Sequence, residues 1–247
     1  MRRNVLITGA SAGLGRGMAL EFAARGRNLA LCARRLDELE KLRGEIVGRH
    51  PDVRVAIRAL DVTDYARVAP VFRELADELG GLDRVIVNAG LGKGASVGTG
   101  KFHANRQTAE TNFVGALAQC EAALELFRPA NAGPLVTISS VAGTRGMPRA
   151  QTVYAATKAG LTALSEGMRI DLLRTPIRVS TILPGYIETE INRGVKWKPF
   201  MVDTATGCRL LVDAIEREPA QAYVPAWPWR LAAFVIRHAP RAWLAKL

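Results

Sequence analysis

The segment from Ser139 to Lys158 carries the clearest candidates for chemistry in this chain. Tyr154 and Lys158 are four residues apart, so on a helix their side chains share one face. An ammonium group beside a phenol favours the phenolate and shifts the pKa of the tyrosine toward neutrality, which suits a proton donor or acceptor. Ser139 and Ser140 follow a short apolar strand-like run, and ligands collect at such strand ends. The segment therefore predicts an acid–base site.

The N-terminal segment predicts a phosphate-binding turn. A strand-like apolar run leads into the sequence TGASAGLG at residues 8–15, and a helical run follows it. Glycines at positions 9, 13 and 15 let the backbone approach a pyrophosphate, which then faces the N–H groups and positive dipole end of the helix. The spacing GxxxGxG differs from the commoner fingerprint GxGxxG. A nucleotide cofactor is expected here.

Short apolar runs alternate with helical patterns along the chain. The predicted strands are residues 4–8, 28–33, 53–59, 84–88, 135–139, 178–183 and 222–225, and the predicted helices are residues 14–25, 36–49, 65–79, 103–127, 152–174 and 203–217. This alternation indicates right-handed βαβ crossovers. We expect an α/β fold, in which residues 1–225 form a single Rossmann-type doubly wound parallel sheet of about seven strands with helices on both faces. Residues 226–247 are expected to form a C-terminal helical tail.

Further motifs occur in chain order with the glycine-rich turn and the serine–tyrosine segment, namely Asn88-Ala89-Gly90, Asn112 in NFVG, and Pro184-Gly185. Together, these motifs resemble those of the short-chain dehydrogenase/reductase family. The resemblance covers about residues 4–225 and implies hydride transfer between a nicotinamide cofactor and a carbonyl or secondary alcohol. It implies that the catalytic residues are Asn112, Ser140, Tyr154 and Lys158. It places at the cofactor the residues Gly9, Ser11, Gly13, Leu14, Gly15, Arg34, Arg35, Asp61, Val62, Asn88, Ala89, Gly90, Tyr154, Lys158, Pro184, Ile187 and Thr189.

The resemblance also implies a division of labour among the catalytic residues. Tyr154 would exchange a proton with the substrate oxygen, and Ser140 would hydrogen-bond the same oxygen. Lys158 would hold the nicotinamide ribose and lower the pKa of the tyrosine, while Asn112 would anchor a water that links Lys158 to solvent. The interval from Ser140 to Tyr154 is one residue longer than the family pattern, which leaves Ser139 open as an alternative to the preferred Ser140.

Further roles are implied around the cofactor and the substrate. Asp61 would accept a hydrogen bond from the adenine amino group, beside Val62. Ile187 and Thr189 would orient the nicotinamide carboxamide. The substrate pocket would be built from residues 91–100, 147–153 and 186–202, whose sequences do not identify the substrate.

The residues after the second predicted strand bear on the choice of cofactor. Folds that bind NAD place an acidic residue near this point for the ribose 2′-hydroxyl. Ala33 occupies that place here, and Arg34 and Arg35 follow it. Arginine pairs well with phosphate, so we expect NADP(H) to be preferred over NAD(H), with Arg34 at the 2′-phosphate and Arg35 beside the adenine. The alternative is that both arginines are simply solvated at the start of a helix.

The charge, the cysteines and the apolar stretches of the sequence bear on its partners, its metal content and its location. The formal net charge is +11, yet no recognised nucleic-acid motif or long basic run occurs, so no nucleic-acid partner is expected. The three cysteines are scattered and lack metal-ligand spacing, which predicts reduced thiols in a cytoplasmic protein without a metal. No apolar stretch is long enough to span a bilayer. A homodimer or homotetramer is expected.

The C-terminal tail has an unusual composition. No acidic residue follows Glu218, and the tail mixes tryptophan and aliphatic residues with Arg230, Arg237 and Arg241. Such a helix could contact an anionic membrane, or pack on the domain, on a neighbouring subunit or over the substrate pocket. A lipid-like substrate fits these alternatives. The competing function is a catalytically inactive NADP(H)-binding regulatory or membrane-peripheral protein, against which the four catalytic residues argue.

Overall fold

The computed structural model describes residues 2–190 and 198–245, and within them seven parallel strands form a twisted sheet. Their order across the sheet is β3-β2-β1-β4-β5-β6-β7. The strands are β1 (Asn4–Thr8), β2 (Asn28–Ala33), β3 (Val55–Ala59), β4 (Arg84–Val87), β5 (Pro134–Ile138), β6 (Arg178–Pro184) and β7 (Gln221–Val224).

Helices cover both faces of this sheet. They are α1 (Gly13–Ala24), α2 (Leu36–Arg49), α3 (Tyr65–Leu79), α4 (Phe102–Ala109), α5 (Gly115–Ala130), α6 (Gln151–Asp171), α7 (Thr204–Glu216), α8 (Ala226–His238) and α9 (Arg241–Leu244). Buried side chains of α1, α2 and α7 form the core on one face, and those of α3, α5 and α6 form the core on the other. No helix of the described residues is both long and apolar enough to cross a membrane.

The predicted doubly wound sheet is confirmed, with strand and helix ends shifted by up to three residues. The largest difference lies in the predicted helix over residues 103–127. The structure divides it into α4, a π-helical turn at Glu110–Val114 and α5, and the amide of Gly115 donates to the carbonyl of Glu110 five residues earlier. A widened turn of this kind adds a residue to the helix and changes which side chains face inward. In the tail, α8 and α9 meet at Pro240, which has no N–H to continue a helix.

The topology brings the candidate residues to one edge of the sheet. The chain builds outward from β1 through β2 to β3, then returns to place β4 on the other side of β1. Strand order reverses at this point, and the helices that follow β1 and β4 pack on opposite faces of the sheet, which leaves a crevice at the carboxyl ends of these strands. The segments after β5 and β6 line the same edge, which therefore holds the candidate site.

Candidate active site

The glycine-rich turn is shaped by close backbone contacts. Gly9 and Gly13 have φ values of +64° and +53°, which favour glycine. A Cβ atom at Gly9 would lie 2.8 Å from the Cα atom of Ala89, and one at Gly15 would lie 2.3 Å from the carbonyl oxygen of Gly9. The turn therefore packs directly on the segment after β4, and the first turn of α1 faces the crevice. This backbone surface fits the phosphates of a dinucleotide.

Thr8 fastens the glycine-rich turn to the segment after β4, a role that the sequence analysis did not assign. Its hydroxyl oxygen accepts from the amides of Asn88 and Ala89 at 2.9 and 3.0 Å. In return, the side-chain amide of Asn88 donates to the carbonyl oxygen of Thr8 at 2.9 Å. Thr8 is the last residue of β1 and directly precedes Gly9. Its place next to the glycine-rich turn is the sequence feature that could have indicated this role.

Asn112 lies fully buried in the π-helical turn. Its side-chain oxygen accepts from the amide of Leu91 at 2.7 Å, and its side-chain nitrogen donates to the carbonyl oxygen of Leu91 at 2.8 Å. The same nitrogen lies 3.4 Å from the hydroxyl of Thr157. The side chain thus holds the loop after Gly90 in place, a contact that the sequence analysis did not foresee for this residue.

The two serines after β5 have different surroundings. The hydroxyl of Ser139 is buried and bonds the carbonyl oxygen of Lys158 and the hydroxyl of Thr162, both at 2.8 Å. The hydroxyl oxygen of Ser140 accepts from the amide of Ala142 at 3.1 Å, as the cap of a 3₁₀ turn over Val141–Thr144. Ser140 thus faces Tyr154, with which its hydroxyl forms a hydrogen bond, whereas Ser139 ties β5 to α6.

Tyr154 and Lys158 meet at the end of β5, on one face of α6. The ammonium nitrogen of Lys158 donates to the carbonyl oxygen of Ile138 at 2.8 Å and lies 5.9 Å from the centre of the Tyr154 ring. Burial lowers the pKa of Lys158 to about 8. Burial raises the pKa of Tyr154, and a hydrogen bond with Ser140 offsets this only in part. Without bound cofactor, burial outweighs that hydrogen bond, and the lowering of the tyrosine pKa by Lys158 stays a prediction.

A close contact fixes the distance between the serine segment and α6. A Cβ atom at Gly143, in the 3₁₀ turn, would lie 2.8 Å from the carbonyl carbon of Lys158 and 2.9 Å from the amide nitrogen of Ala159. Only glycine lets the turn approach the helix backbone this closely. The contact holds the Ser140 segment beside the turn of α6 that carries Lys158.

The adenine end of the crevice carries the two predicted arginines. Arg34 and Arg35 are both exposed, and the guanidinium of Arg35 donates to the hydroxyl of Ser11 at 3.2 Å. Arg34 forms no ion pair within residues 2–190 and 198–245. Asp61 accepts from the amide and hydroxyl of Thr63 at 2.9 and 2.7 Å. Val62, which follows it, is buried.

The segment after β6 closes the opposite side of the crevice. Pro184 ends β6, and Ile187 is buried where the chain forms an isolated parallel bridge to Val202. The side chain of Thr189 lies over the glycine-rich turn, with its methyl carbon 3.6 Å from the place of a Cβ atom at Gly13. Part of the predicted pocket segment 186–202, residues 191–197, lies outside the described residues.

A cleft of about 1290 Å³ joins these features. At one end it reaches Arg34 and Asp61, and at the other it passes Ser140 and Tyr154. Beyond the tyrosine the lining becomes largely apolar, with the residues Met147, Pro148, Tyr186, Phe200, Trp227, Trp229, Leu231, Ala232, Val235 and Ile236. The cleft as a whole fits a dinucleotide and a small-molecule substrate. Among the described residues, no three His, Cys, Asp or Glu side chains form a metal-binding group.

The C-terminal helix α8 supplies much of the apolar end. Trp229 is buried against Gly185, where a Cβ atom would lie 2.1 Å from the indole. The indole packs edge-on against two aromatic rings. The ring centroids are 5.6 Å apart for Tyr186 and 6.0 Å apart for Phe200. Of the placements predicted for the tail, the structure therefore shows the one along the substrate end of the cleft. The contact between Trp229 and Gly185 could not be recognised from the sequence.

Two arginines between Ser140 and Tyr154 hold the tail. Arg145 donates through one guanidinium nitrogen to the carbonyl oxygens of Ile236 and Arg237, both at 3.2 Å, and to that of Ala239. Arg149 donates to the carbonyl oxygen of Ala245 at 3.4 Å, just after α9. A cation is favourable at a helix C-terminus, where unpaired carbonyl groups gather. The serine–tyrosine segment and the tail are thus joined directly.

Known proteins share both the sequence and the fold. Residues 3–198 match the short chain dehydrogenase family. An uncharacterised oxidoreductase of Mycobacterium tuberculosis is 55% identical over 92% of this chain and 90% of its own. A protein of Arabidopsis thaliana named 11-beta-hydroxysteroid dehydrogenase 1A is 32% identical over 90% of this chain and 68% of its own. An alcohol dehydrogenase of Thermococcus sibiricus, solved with 5-hydroxy-NADP, superposes with a TM-score of 0.79 at 25% identity, covering 90% of this chain and 95% of its own.

The family match extends over most of the chain. The similar proteins described above are oxidoreductases. The glycine-rich turn and the cleft beside it fit the dinucleotide that such enzymes use. The chain therefore belongs to the short-chain dehydrogenase/reductase family and is an NAD(P)-dependent oxidoreductase that acts on alcohol and carbonyl groups.

Proposed function

We propose that the chain is an NADPH-dependent reductase of apolar, lipid-like carbonyl compounds. The observation that carries the proposal is the meeting of Ser140, Tyr154 and Lys158 at the end of β5, in a cleft whose far end is apolar. NADPH supplies the hydride when bound, and the protein supplies position and electrostatics. The roles that follow belong to this chain's own residues.

Proton transfer is assigned to Tyr154. Because burial raises its pKa, the phenol is protonated near neutral pH and ready to donate to a carbonyl oxygen. Ser140 can donate to the same oxygen, since its own oxygen already accepts from Ala142. The protonated phenol supplies the proton that carbonyl reduction requires.

Lys158 and Asn112 support this proton donor. Lys158 would hold the ribose next to the nicotinamide and place a positive charge behind the phenol. Both residues lie close to Gly90, whose Cβ position would be 3.3 Å from the side-chain oxygen of Asn112 and 3.7 Å from the ammonium nitrogen of Lys158. We propose that a water held near Asn112 links Lys158 to solvent, although the side-chain amide itself is engaged with Leu91.

Preference for NADPH rests on charge at the end of β2. Arg34 is exposed beside the cleft and lacks an ion pair within the described part of the chain. Arg35 is hydrogen-bonded to Ser11 in the glycine-rich turn. A 2′-phosphate placed between these groups would meet two guanidinium groups and a hydroxyl. The complex of the Thermococcus sibiricus relative with 5-hydroxy-NADP supports this assignment.

The substrate class follows from the far end of the cleft. Trp229, Met147 and the inner side of α8 form a predominantly apolar wall beyond the phenol of Tyr154. Burying apolar surface there contributes about 25 cal/mol per Å², so larger apolar carbonyl compounds should bind better than small ones. The name of the Arabidopsis thaliana relative, a hydroxysteroid dehydrogenase, supports a substrate of this type.

Assembly and location are also proposed. We expect a homodimer or homotetramer, and the exposed Ile170 and Leu173 near the end of α6 offer apolar surface for a subunit contact. We place the enzyme in the cytoplasm, which suits the free and buried thiols of Cys32, Cys120 and Cys208.

Replacing Tyr154 with Phe should remove turnover and leave NADPH binding nearly unchanged, because only the proton-transferring hydroxyl is lost. The rate of carbonyl reduction should fall by about 10²–10⁴-fold. The assay follows NADPH absorbance with ketones and aldehydes of increasing chain length. Tyr186→Phe, which removes another phenol from the cleft, should keep most of the activity. Retention of more than about a tenth of the rate in Tyr154→Phe would exclude the tyrosine as the proton donor.

The ammonium group of Lys158 should titrate near pH 8 in the unliganded protein, because burial lowers its pKa. Carbon-13 NMR of labelled lysine side chains should show one signal that titrates near pH 8. That signal should be missing from Lys158→Met. The unfolded chain keeps this proton up to the ordinary lysine pKa, so wild-type stability should rise relative to Lys158→Met as pH increases from 8 toward 10.5. Simultaneous titration of all lysines would refute the burial argument.

Replacing Arg34 with Ala should weaken NADPH binding far more than NADH binding. A hydrogen bond to a charged group contributes roughly 1.5–3 kcal/mol, which corresponds to a loss of about ten- to a hundredfold. Calorimetric titration with both cofactors measures the difference. The matched variant Arg43→Ala, on the exposed side of α2, should affect neither cofactor. Equal weakening of NADPH and NADH by Arg34→Ala would show that this arginine does not recognise the 2′-phosphate.

Replacing Arg145 with Met should loosen α8 while leaving the catalytic groups in place, because it removes the hydrogen bonds at the end of the helix. We expect KM for large apolar ketones to rise roughly tenfold, in line with loss of a charged hydrogen bond. The kcat for a small ketone should stay within about twofold. Arg145→Lys should restore part of the affinity, and Arg209→Met on α7 is the control. An equal fall of kcat for small and large ketones would argue against a positioning role.

A further inference from the structure

The outer face of α8 bears apolar side chains that the fold leaves in solvent. Leu231, Phe234 and Val235 are 51%, 63% and 50% exposed, and their spacing of three and four residues places them on one side of the helix. Trp227, just before them, is 73% exposed. The opposite side of α8, with Trp229 and Ala233, is buried against the domain. We call the four exposed residues the tail ridge.

The tail ridge forms part of the mouth of the cleft. Trp227, Leu231 and Val235 line the cleft and are half or more exposed, so they stand at its rim. Phe200, another lining residue, is 57% exposed and packs edge-on against Trp229. The cleft therefore opens to solvent between apolar side chains, an arrangement suited to a substrate that arrives from an apolar phase.

The charges around the tail ridge have one sign. Arg230 and Arg237 are seven residues apart on α8, which places them together on the flank of the ridge away from Val235, and both are exposed. Arg241 begins α9 and is also exposed. The sequence has no acidic residue after Glu218, so no Asp or Glu side chain of the tail neutralises these arginines.

These charges decide between possible occupants of the surface. A two-fold dimer through the tail ridge would bring each arginine patch close to its own copy, because such an interface pairs identical surfaces. Like charges would then be buried without a carboxylate from the tail, which opposes association. A nucleic acid would match the charge but leave the aliphatic side chains of Leu231 and Val235 without a suitable contact. An anionic lipid surface matches both features.

We propose that the tail ridge lies on the surface of an anionic phospholipid membrane, with the mouth of the cleft facing the lipid. Phe234 and Trp227 would enter the interface, and Arg230, Arg237 and Arg241 would pair with lipid phosphates. Each arginine near an anionic leaflet contributes about 1 kcal/mol, and exposed aromatic residues add apolar burial. The orientation of the mouth rests on the proposed function, whereas membrane binding itself does not.

The full-length protein is mixed with phosphatidylcholine vesicles that contain or lack phosphatidylserine, and binding is measured by co-sedimentation and tryptophan fluorescence. Binding should require phosphatidylserine and weaken as salt is raised, since exposed charges are screened over about 8–10 Å at physiological ionic strength. The double variant Arg230→Glu/Arg237→Glu should lose at least about thirtyfold in affinity, the conversion of about 2 kcal/mol. Phe234→Ser should lose affinity without any change in charge.

The control is Arg209→Glu/Arg217→Glu, which changes the net charge equally but lies on exposed positions at α7. This control variant should keep most of the affinity for phosphatidylserine vesicles. Absence of binding to phosphatidylserine vesicles at low salt would overturn the proposal, as would equal losses in the tail and control variants. A smaller particle in light scattering for Phe234→Ser, without vesicle binding by the wild type, would assign the ridge to a subunit contact instead. The rate at which each variant reduces a small soluble ketone is measured as well. This rate tests the proposed function separately from vesicle binding.

Discussion

The buried ammonium group of Lys158 is the interaction on which the candidate site depends. Its hydrogen bond to the carbonyl oxygen of Ile138 joins α6 to the end of β5. Tyr154 lies one helical turn before Lys158, and Ser140 lies two residues after Ile138, so this bond brings the three functional groups together. The same burial that makes the contact lowers the pKa of the lysine and raises that of the tyrosine. Burial therefore acts on the two groups in opposite directions, since it favours the neutral form of each.

Different interactions stabilise the two ends of the cleft. At the cofactor end, loops are held by side-chain hydrogen bonds to backbone, from Thr8 to the segment after β4 and from Asn112 to Leu91. Glycines permit contacts there that no other residue would allow. At the substrate end, apolar packing of α8 dominates, with Trp229 against Gly185 and arginine hydrogen bonds at the helix end. The hydrogen-bonded cofactor end is suited to a cofactor that stays the same in every reaction. The apolar wall lies on a separate helix and can therefore vary with the substrate.

Local patterns predicted much of this arrangement. The alternation of strands and helices, the glycine-rich turn and the pair Tyr154 and Lys158 all depend on residues close in sequence, so the sheet and its functional edge could be expected. Three features could not. The packing of Trp229 on Gly185 joins distant parts of the chain, the π-helical turn at Asn112 has no distinctive local pattern, and the raised pKa of Tyr154 depends on burial, which the spacing of two residues does not reveal. The different surroundings of Ser139 and Ser140 likewise required the packing of β5 against α6.

We propose that this site transfers a hydride from NADPH to a carbonyl carbon while Tyr154 supplies the proton. This transfer is tested with NADPH in which deuterium replaces both hydrogens on the hydride-donating carbon of the nicotinamide, with a panel of cyclic and long-chain ketones, and by mass spectrometry of the products. We expect alcohols that carry deuterium on the carbinol carbon, formed more slowly than with unlabelled cofactor when hydride transfer limits the rate. Alcohols without deuterium, or no reduction of any ketone by protein that binds NADPH, would contradict this proposal.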